Sequence, residues 1–153
     1  MPELALVRTP KDRRLYEIEG LGTLRLEGLW SRRATAEAGA DSWQIGAVGF
    51  WRRTIHATDG LGTLVGTFAP ATLRRGGTLT WAGRVMALRP ASAWRQRYAL
   101  ADGDNELALL DGRSWGKQPV KITVDDLGAV EPGLLLMTAF VVRRLAEDAA
   151  NAS

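Results

Sequence analysis

The segment Leu134-Leu-Leu-Met-Thr-Ala-Phe-Val-Val142 constrains this chain more than any other stretch. It follows Glu131-Pro132-Gly133 and precedes Arg143-Arg144. Proline suits the first helical turn, an acid suits the positive N-terminus of a helix, and arginines suit its C-terminus. The pattern predicts a helix over 132–148 whose first half is apolar around nearly its whole circumference. Packed by one face on a sheet, such a helix would leave several large side chains in water, so it must be surrounded. At ~1.5 Å per residue, positions 134–142 cover only about 14 Å of the ~30 Å hydrocarbon core of a bilayer. Enclosure by protein is therefore expected, and a transmembrane span is not.

The material for that enclosure lies upstream. From residue 15 to about 124, apolar and polar residues alternate between Gly and Asp clusters, which is the pattern of an all-β chain. The strand candidates are 4–8, 15–19, 23–27, 33–37, 43–48, 53–57, 63–68, 78–82, 84–89, 94–100, 106–110 and 120–124. Because side chains alternate along a strand, Leu24, Leu26 and Trp30 fall opposite Thr23, Arg25 and Glu27, and Leu79 and Trp81 fall opposite Thr78 and Thr80. In 94–100, Trp94, Tyr98 and Leu100 share the inner face with Gln96, while Arg95, Arg97 and Ala99 take the outer one. Asp59-Gly60, Gly76-Gly77 and Asp102-Gly103-Asp104-Asn105 supply turn residues that tolerate positive φ. Two echoes, Gly20-Leu-Gly-Thr-Leu24 with Gly60-Leu-Gly-Thr-Leu64 and Leu29-Trp-Ser-Arg-Arg33 with Phe50-Trp-Arg-Arg53, read as reused hairpin solutions.

The 153 residues suit one domain, 1–148, with 149–153 as a frayed end. With no cysteine, disulfides, thiolate nucleophiles and Cys zinc sites are excluded, and a reducing compartment is the default. The first residues, Met-Pro-Glu-Leu-Ala-Leu-Val-Arg, lack the basic start and apolar core of a signal peptide, so a cytoplasmic location is expected.

Many short strands closed by one all-round apolar helix is an unusual order, since most barrels fill their interior with strand side chains. With Leu29-Trp30-Ser-Arg-Arg-Ala34, Trp94-Arg-Gln-Arg-Tyr98-Ala-Leu100-Ala-Asp102, Gly116-Lys117 before Val120 to Val124, and Pro132-Gly-Leu-Leu-Leu, the chain resembles the tubby C-terminal-like superfamily. The likeness is to its small LURP-one-like, scramblase-related members and spans roughly Tyr16 to Leu145. The resemblance implies a mainly β fold: a closed antiparallel barrel of about twelve strands around the hydrophobic C-terminal helix. It also implies membrane-surface binding, as in the phosphoinositide-binding tubby proteins. No site residues carry over, because the palmitoylated cysteines of scramblases and the tubby Lys/Arg arrangement have no match.

Catalytic patterns are weak. His56 in strand 53–57 and Asp59 in the following turn could suggest a dyad, but strand geometry and the Asp-Gly turn favour structural roles. None of Ser31, Ser42, Ser92 or Ser114 sits in a Gly-x-Ser-x-Gly elbow. Asp102-Gly-Asp104-Asn-Glu106 lacks the spacing of a calcium loop and reads as a hairpin tip. Gly112-Arg-Ser-Trp-Gly116-Lys117-Gln118 lacks that of a phosphate loop and reads as a turn. Among the six tryptophans, Trp51 and Trp115 are expected to be exposed and most of the others to pack on the helix.

Charge is the most informative polar signal. Residues 1–60 carry nine bases and eight acids, 61–101 six arginines and no acid, and 102–153 five bases and nine acids. Arg74, Arg75, Arg84, Arg89, Arg95 and Arg97 are the candidate anion-binding residues, since guanidinium forks suit phosphate and carboxylate. The competing expectation is that they pair with acids of the last third or are simply solvated. A net charge of +3 is weak for a nucleic-acid binder, so none is expected as partner. The reading is a non-enzymatic cytoplasmic module, peripheral to the membrane, that binds anionic lipid headgroups. The alternative is a protein-interaction barrel without a small-molecule ligand. No cofactor or metal is expected, and a helix-filled barrel should leave little pocket volume for an enzyme or lipid carrier.

Overall fold

The computed structural model describes residues 3–28, 32–49, 53–72, 74–93, 95–113 and 116–152. Twelve strands follow in chain order: β1 (Glu3–Arg8), β2 (Leu15–Ile18), β3 (Gly22–Glu27), β4 (Arg33–Ala38), β5 (Asp41–Val48) and β6 (Thr54–Asp59). The second half holds β7 (Leu64–Pro70), β8 (Gly77–Trp81), β9 (Arg84–Pro90), β10 (Arg97–Asp102), β11 (Asn105–Gly112) and β12 (Val120–Thr123). A 3₁₀ turn (Leu127–Ala129) leads into the helix α1 (Pro132–Ala152). Each strand pairs antiparallel with its chain neighbours, and β1 joins β12 through Glu3↔Thr123 and Leu6↔Val120. The result is a closed barrel, which leaves no open sheet edge.

The barrel is filled by alternation. Tyr16, Ile18, Leu24, Leu26, Ala34, Ala36, Ile45, Phe68, Leu79 and Leu88 are among the buried inward positions. They surround Leu134 to Val142, every one of which is fully buried, including Thr138, whose hydroxyl donates to the Leu134 carbonyl at 2.7 Å. Full burial of each large aliphatic contributes roughly 1.5–3 kcal/mol, so this segment is a main stabilising element of the fold. Among the described residues no helix is long and apolar enough to cross a membrane.

The helix enters through a fitted collar. Trp43 and Trp81 meet edge-to-face with centroids 5.8 Å apart, and Trp81 Nε1 donates to Glu131 Oε2 at 2.6 Å. Gly133 lets the first turn approach this pair, because a Cβ there would lie 2.6 Å from Trp81 Cζ2 and 2.7 Å from Trp43 Cζ2. These two tryptophans do pack near the helix; Trp30, Trp51, Trp94 and Trp115 lie outside the described residues.

Three sequence expectations are corrected. Strand β10 begins at Arg97: of the expected 94–100, Trp94 lies outside the described residues and Arg95 and Gln96 precede the strand, the Arg95 carbonyl accepting from the Arg75 guanidinium. Helix α1 continues through the expected frayed end to Ala152, supported by alanines of high helix propensity and by Arg143–Glu147 and Arg144–Asp148 pairs four residues apart. The Gly-Leu-Gly-Thr-Leu echoes are not equivalent, since Leu24 is buried and Leu64 is 52% exposed. A bulge between Ala57 and Thr58 on the β6–β7 ladder turns Leu64 outward, although Gly66 two residues on faces the core.

Candidate functional site

In an up-and-down barrel alternate connections collect at opposite ends, and here the two ends differ in length and charge. The helix enters at the end that holds 19–21, 39–40, 60–63, 82–83 and 103–104, tight turns of two to four residues. With 124–131 before α1, these carry Glu19, Asp104, Asp125, Asp126 and Glu131 and no base. The opposite connections, 9–14, 28–32, 49–53, 71–76, 91–96 and 113–119, are five to seven residues long. Their described residues include Lys11, Arg13, Arg14, Arg32, Arg53, Arg74, Arg75, Arg95, Arg113 and Lys117 against one acid, Asp12. That acid is committed locally. Its carboxylate accepts from the Arg14 amide at 2.9 Å and pairs with Arg25 at 2.5 Å, and these two contacts hold its pKa below the usual value.

The six candidate anion-binding arginines are divided. Arg84 sits at the acidic end and pairs with Asp102 at 2.9 Å, while Arg97 pairs more loosely with Asp111 at 3.7 Å. Both acids belong to the last third of the chain, as the competing expectation held. Arg89 donates to the Gly103 carbonyl on the outer wall. Arg75 is structural: it donates to the Ser92 and Arg95 carbonyls and stacks 5.7 Å from the centre of the Tyr98 ring. Arg95 precedes the strand, so it does not share a strand face with Arg97. Arg74 and Arg95 are exposed in the basic-end connections.

Beneath this end, between the β-connections and the C-terminal turns of α1, lies a crevice of about 670 Å³. The helix therefore fills the barrel but not its basic mouth, contrary to the expectation of little free volume. Among the described residues, Arg32, Arg53, Arg74, Arg75 and Arg144 line it with one acid, Asp148; the half-buried Leu145 supplies apolar surface, and the buried Ile55 and Phe68 close the floor. Gly76, at φ 83°, sets the turn that carries Arg74 and Arg75; a Cβ there would run into the Leu88 carbonyl. The Tyr98 wall is rigid: the ring is buried, its hydroxyl donates to Gln96 Oε1 at 2.6 Å, and burial pushes its pKa up against the lowering influence of Arg75.

Arg32, Arg53 and Arg144 were not singled out by reading charge along the chain. The signal was present in another form, because counting charge in every second connection separates the two ends once the strand order is known. The remaining motifs have structural roles. His56 is half-buried on β6, and Asp59 accepts from the Leu61 and Thr63 amides at 2.9 Å. Asp102 to Glu106 is a hairpin tip, and no three potential metal ligands gather among the described residues. Compared with known protein families, with curated proteins and with solved structures, the chain matches none.

Proposed function

We propose that this barrel is a non-enzymatic binding module that docks its basic end on anionic lipid headgroups at a cytoplasmic membrane surface. The observation that carries this reading is the segregation of charge: bases crowd the long connections of one end, and only acids occupy the turns of the other. Long connections on a rigid scaffold are where binding residues concentrate, and the opposed charges orient the molecule in the field of an anionic surface. The resemblance to tubby-like proteins agrees with a membrane-surface role.

Each basic residue near an anionic membrane contributes roughly 1 kcal/mol, screened by salt. Sedimentation with phosphatidylglycerol-containing vesicles should be strong at low salt and absent with pure phosphatidylcholine. Arg95→Glu with Lys117→Glu should weaken it about thirtyfold or more without changing the fold. Equal binding to neutral vesicles, or indifference to this double reversal, overturns the proposal.

A second reading rests on Leu61, Leu64 and Val85, exposed by 93%, 52% and 64% at the acidic end. Such residues suit contact with a protein partner, which would be reached from the end facing away from the membrane. Replacing all three with serine should leave vesicle binding intact and abolish capture of that partner.

A further inference from the structure

The crevice at the basic end differs from the rest of that end in being concave and part apolar. Its apolar side is the half-buried Leu145, while Ile55 and Phe68, 4% and 1% exposed, close the floor beneath it. Among the described residues, five arginines line it, with Asp148 the one acid. Two of the five are already engaged, Arg75 by carbonyls and the Tyr98 ring, and Arg144 by Asp148 at 3.8 Å. Arg32, Arg53 and Arg74 face no carboxylate in any ion pair among the described residues. Like charges gathered around one crevice repel one another, and a compact anion between them relieves that repulsion. A multiply charged, tetrahedral group with several acceptor oxygens satisfies such a ring better than a single carboxylate, and guanidinium forks match its geometry.

We infer that this crevice is a discrete pocket for an organic phosphate monoester. The phosphoryl group is held by Arg53 and Arg74 at the rim, with Arg32 and Arg144 beside them. The organic part lies against Leu145, above the floor closed by Phe68 and Ile55. Arg75 is a positioning residue, fixing the wall through Tyr98 without being free to move to the ligand. The pocket rests on the charge segregation described above but does not require membrane docking, since the same phosphoryl chemistry is offered by a lipid headgroup and by a soluble molecule.

The test is titration calorimetry of the full chain at low salt with inorganic phosphate, phenyl phosphate and benzoate. Phenyl phosphate should bind at one site and at least about tenfold more tightly than inorganic phosphate or benzoate, because it alone combines the dianion with apolar contact. Arg53→Gln and Arg74→Gln should each weaken phenyl phosphate about tenfold or more, whereas Arg113→Gln and Lys117→Gln, on the same end outside the crevice, should leave it unchanged. Leu145→Ser should remove the preference for phenyl phosphate over phosphate, and a native circular dichroism spectrum checks that each variant is folded. Equal affinities for the three probes, or equal effects of the rim and outside variants, overturn the pocket while leaving vesicle docking standing. Saturating phenyl phosphate that releases the protein from phosphatidic acid vesicles identifies a lipid headgroup as the source. Binding of phenyl phosphate without such release identifies a soluble ligand, and vesicle binding that fails altogether removes the docking reading but not the pocket.

Discussion

The tight-turned end and the long-looped end of this barrel are closed by the same twelve strands, yet they differ in turn length and in charge. At the first, turns of two to four residues, a tryptophan pair and the Trp81–Glu131 hydrogen bond seat the start of the helix. At the second, connections of five to seven residues spread bases around a crevice that the helix does not close. The helix dipole aligns with this division, its positive N-terminus toward the acids and its negative C-terminus toward the bases. The close packing around the helix start thus lies where the chain turns sharply, and the bases lie where it has length to spare. Arg75 shows that the division is one of degree: it stands at the basic end yet holds two connections together.

The largest expected effect comes from breaking what joins the ends. Phe140→Asp or Leu135→Asp would place an unpaired charge in a fully buried position, costing several kcal/mol of a stability that is typically ~5–15 kcal/mol. Urea unfolding should show loss of cooperative folding, and both ends should fail together. A Phe140→Asp protein that unfolds cooperatively at the wild-type midpoint and still binds anionic vesicles would show that the helix is peripheral.

A smaller effect separates the ends. Glu131→Gln leaves Trp81 an amide-oxygen acceptor but removes the charge that strengthens the bond, and should cost about 1 kcal/mol in denaturant midpoint analysis. Vesicle binding by the folded fraction should not change. Arg74→Gln should behave in the opposite way, with unchanged stability and weakened phenyl phosphate binding; if both variants altered both properties, the two ends would not be functionally distinct.

Asp12 offers a finer test, being the one acid among the described residues of the basic connections. Its folded pKa is depressed below 3.8 by the Arg14 amide and the Arg25 guanidinium, so its stabilisation is present above that value and is lost as pH falls through the folded value. Asp12→Asn should be slightly less stable than wild type at pH 7, with thermal midpoints converging below pH 3.8. The same variant should bind anionic vesicles somewhat more tightly at neutral pH. A gap in stability that widens on acidification would contradict the assigned pair.

The smallest expected effect is none. Glu19→Lys with Asp104→Lys changes the net charge as much as a double reversal at the basic end, but in the opposite direction and on the far side of the barrel. Vesicle binding should stay within about twofold, since surface charges separated by more than the ~10 Å screening length contribute little. A large gain would show that total charge, not its placement, drives binding.

Each of the twelve strands overlaps a candidate segment, and β2 to β12 fall in the period-two pattern, because one inward residue in every two is a local requirement of a filled barrel. The burial of Leu134 to Val142 was equally legible, since no exposed position suits an all-round apolar helix. The start of β10 was not: Arg95 precedes the strand, its carbonyl engaged by a side chain from another hairpin. The outward turn of Leu64 escaped as well, since its bulge appears only when β6 and β7 are paired.

The candidate site divides along the same line. An arginine-rich, anion-suited composition between residues 61 and 101 is a property of the sequence alone. Which of those arginines remain available is a tertiary outcome: register brings Arg84 to Asp102 and Arg97 to Asp111, while Arg32, Arg53 and Arg144 join Arg74 from distant parts of the chain. Periodicity and apolar content are set within a few residues and so can be read along the chain. Ion pairing and pocket lining depend on distances between segments far apart in sequence, and only the closed barrel with its central helix fixes those distances.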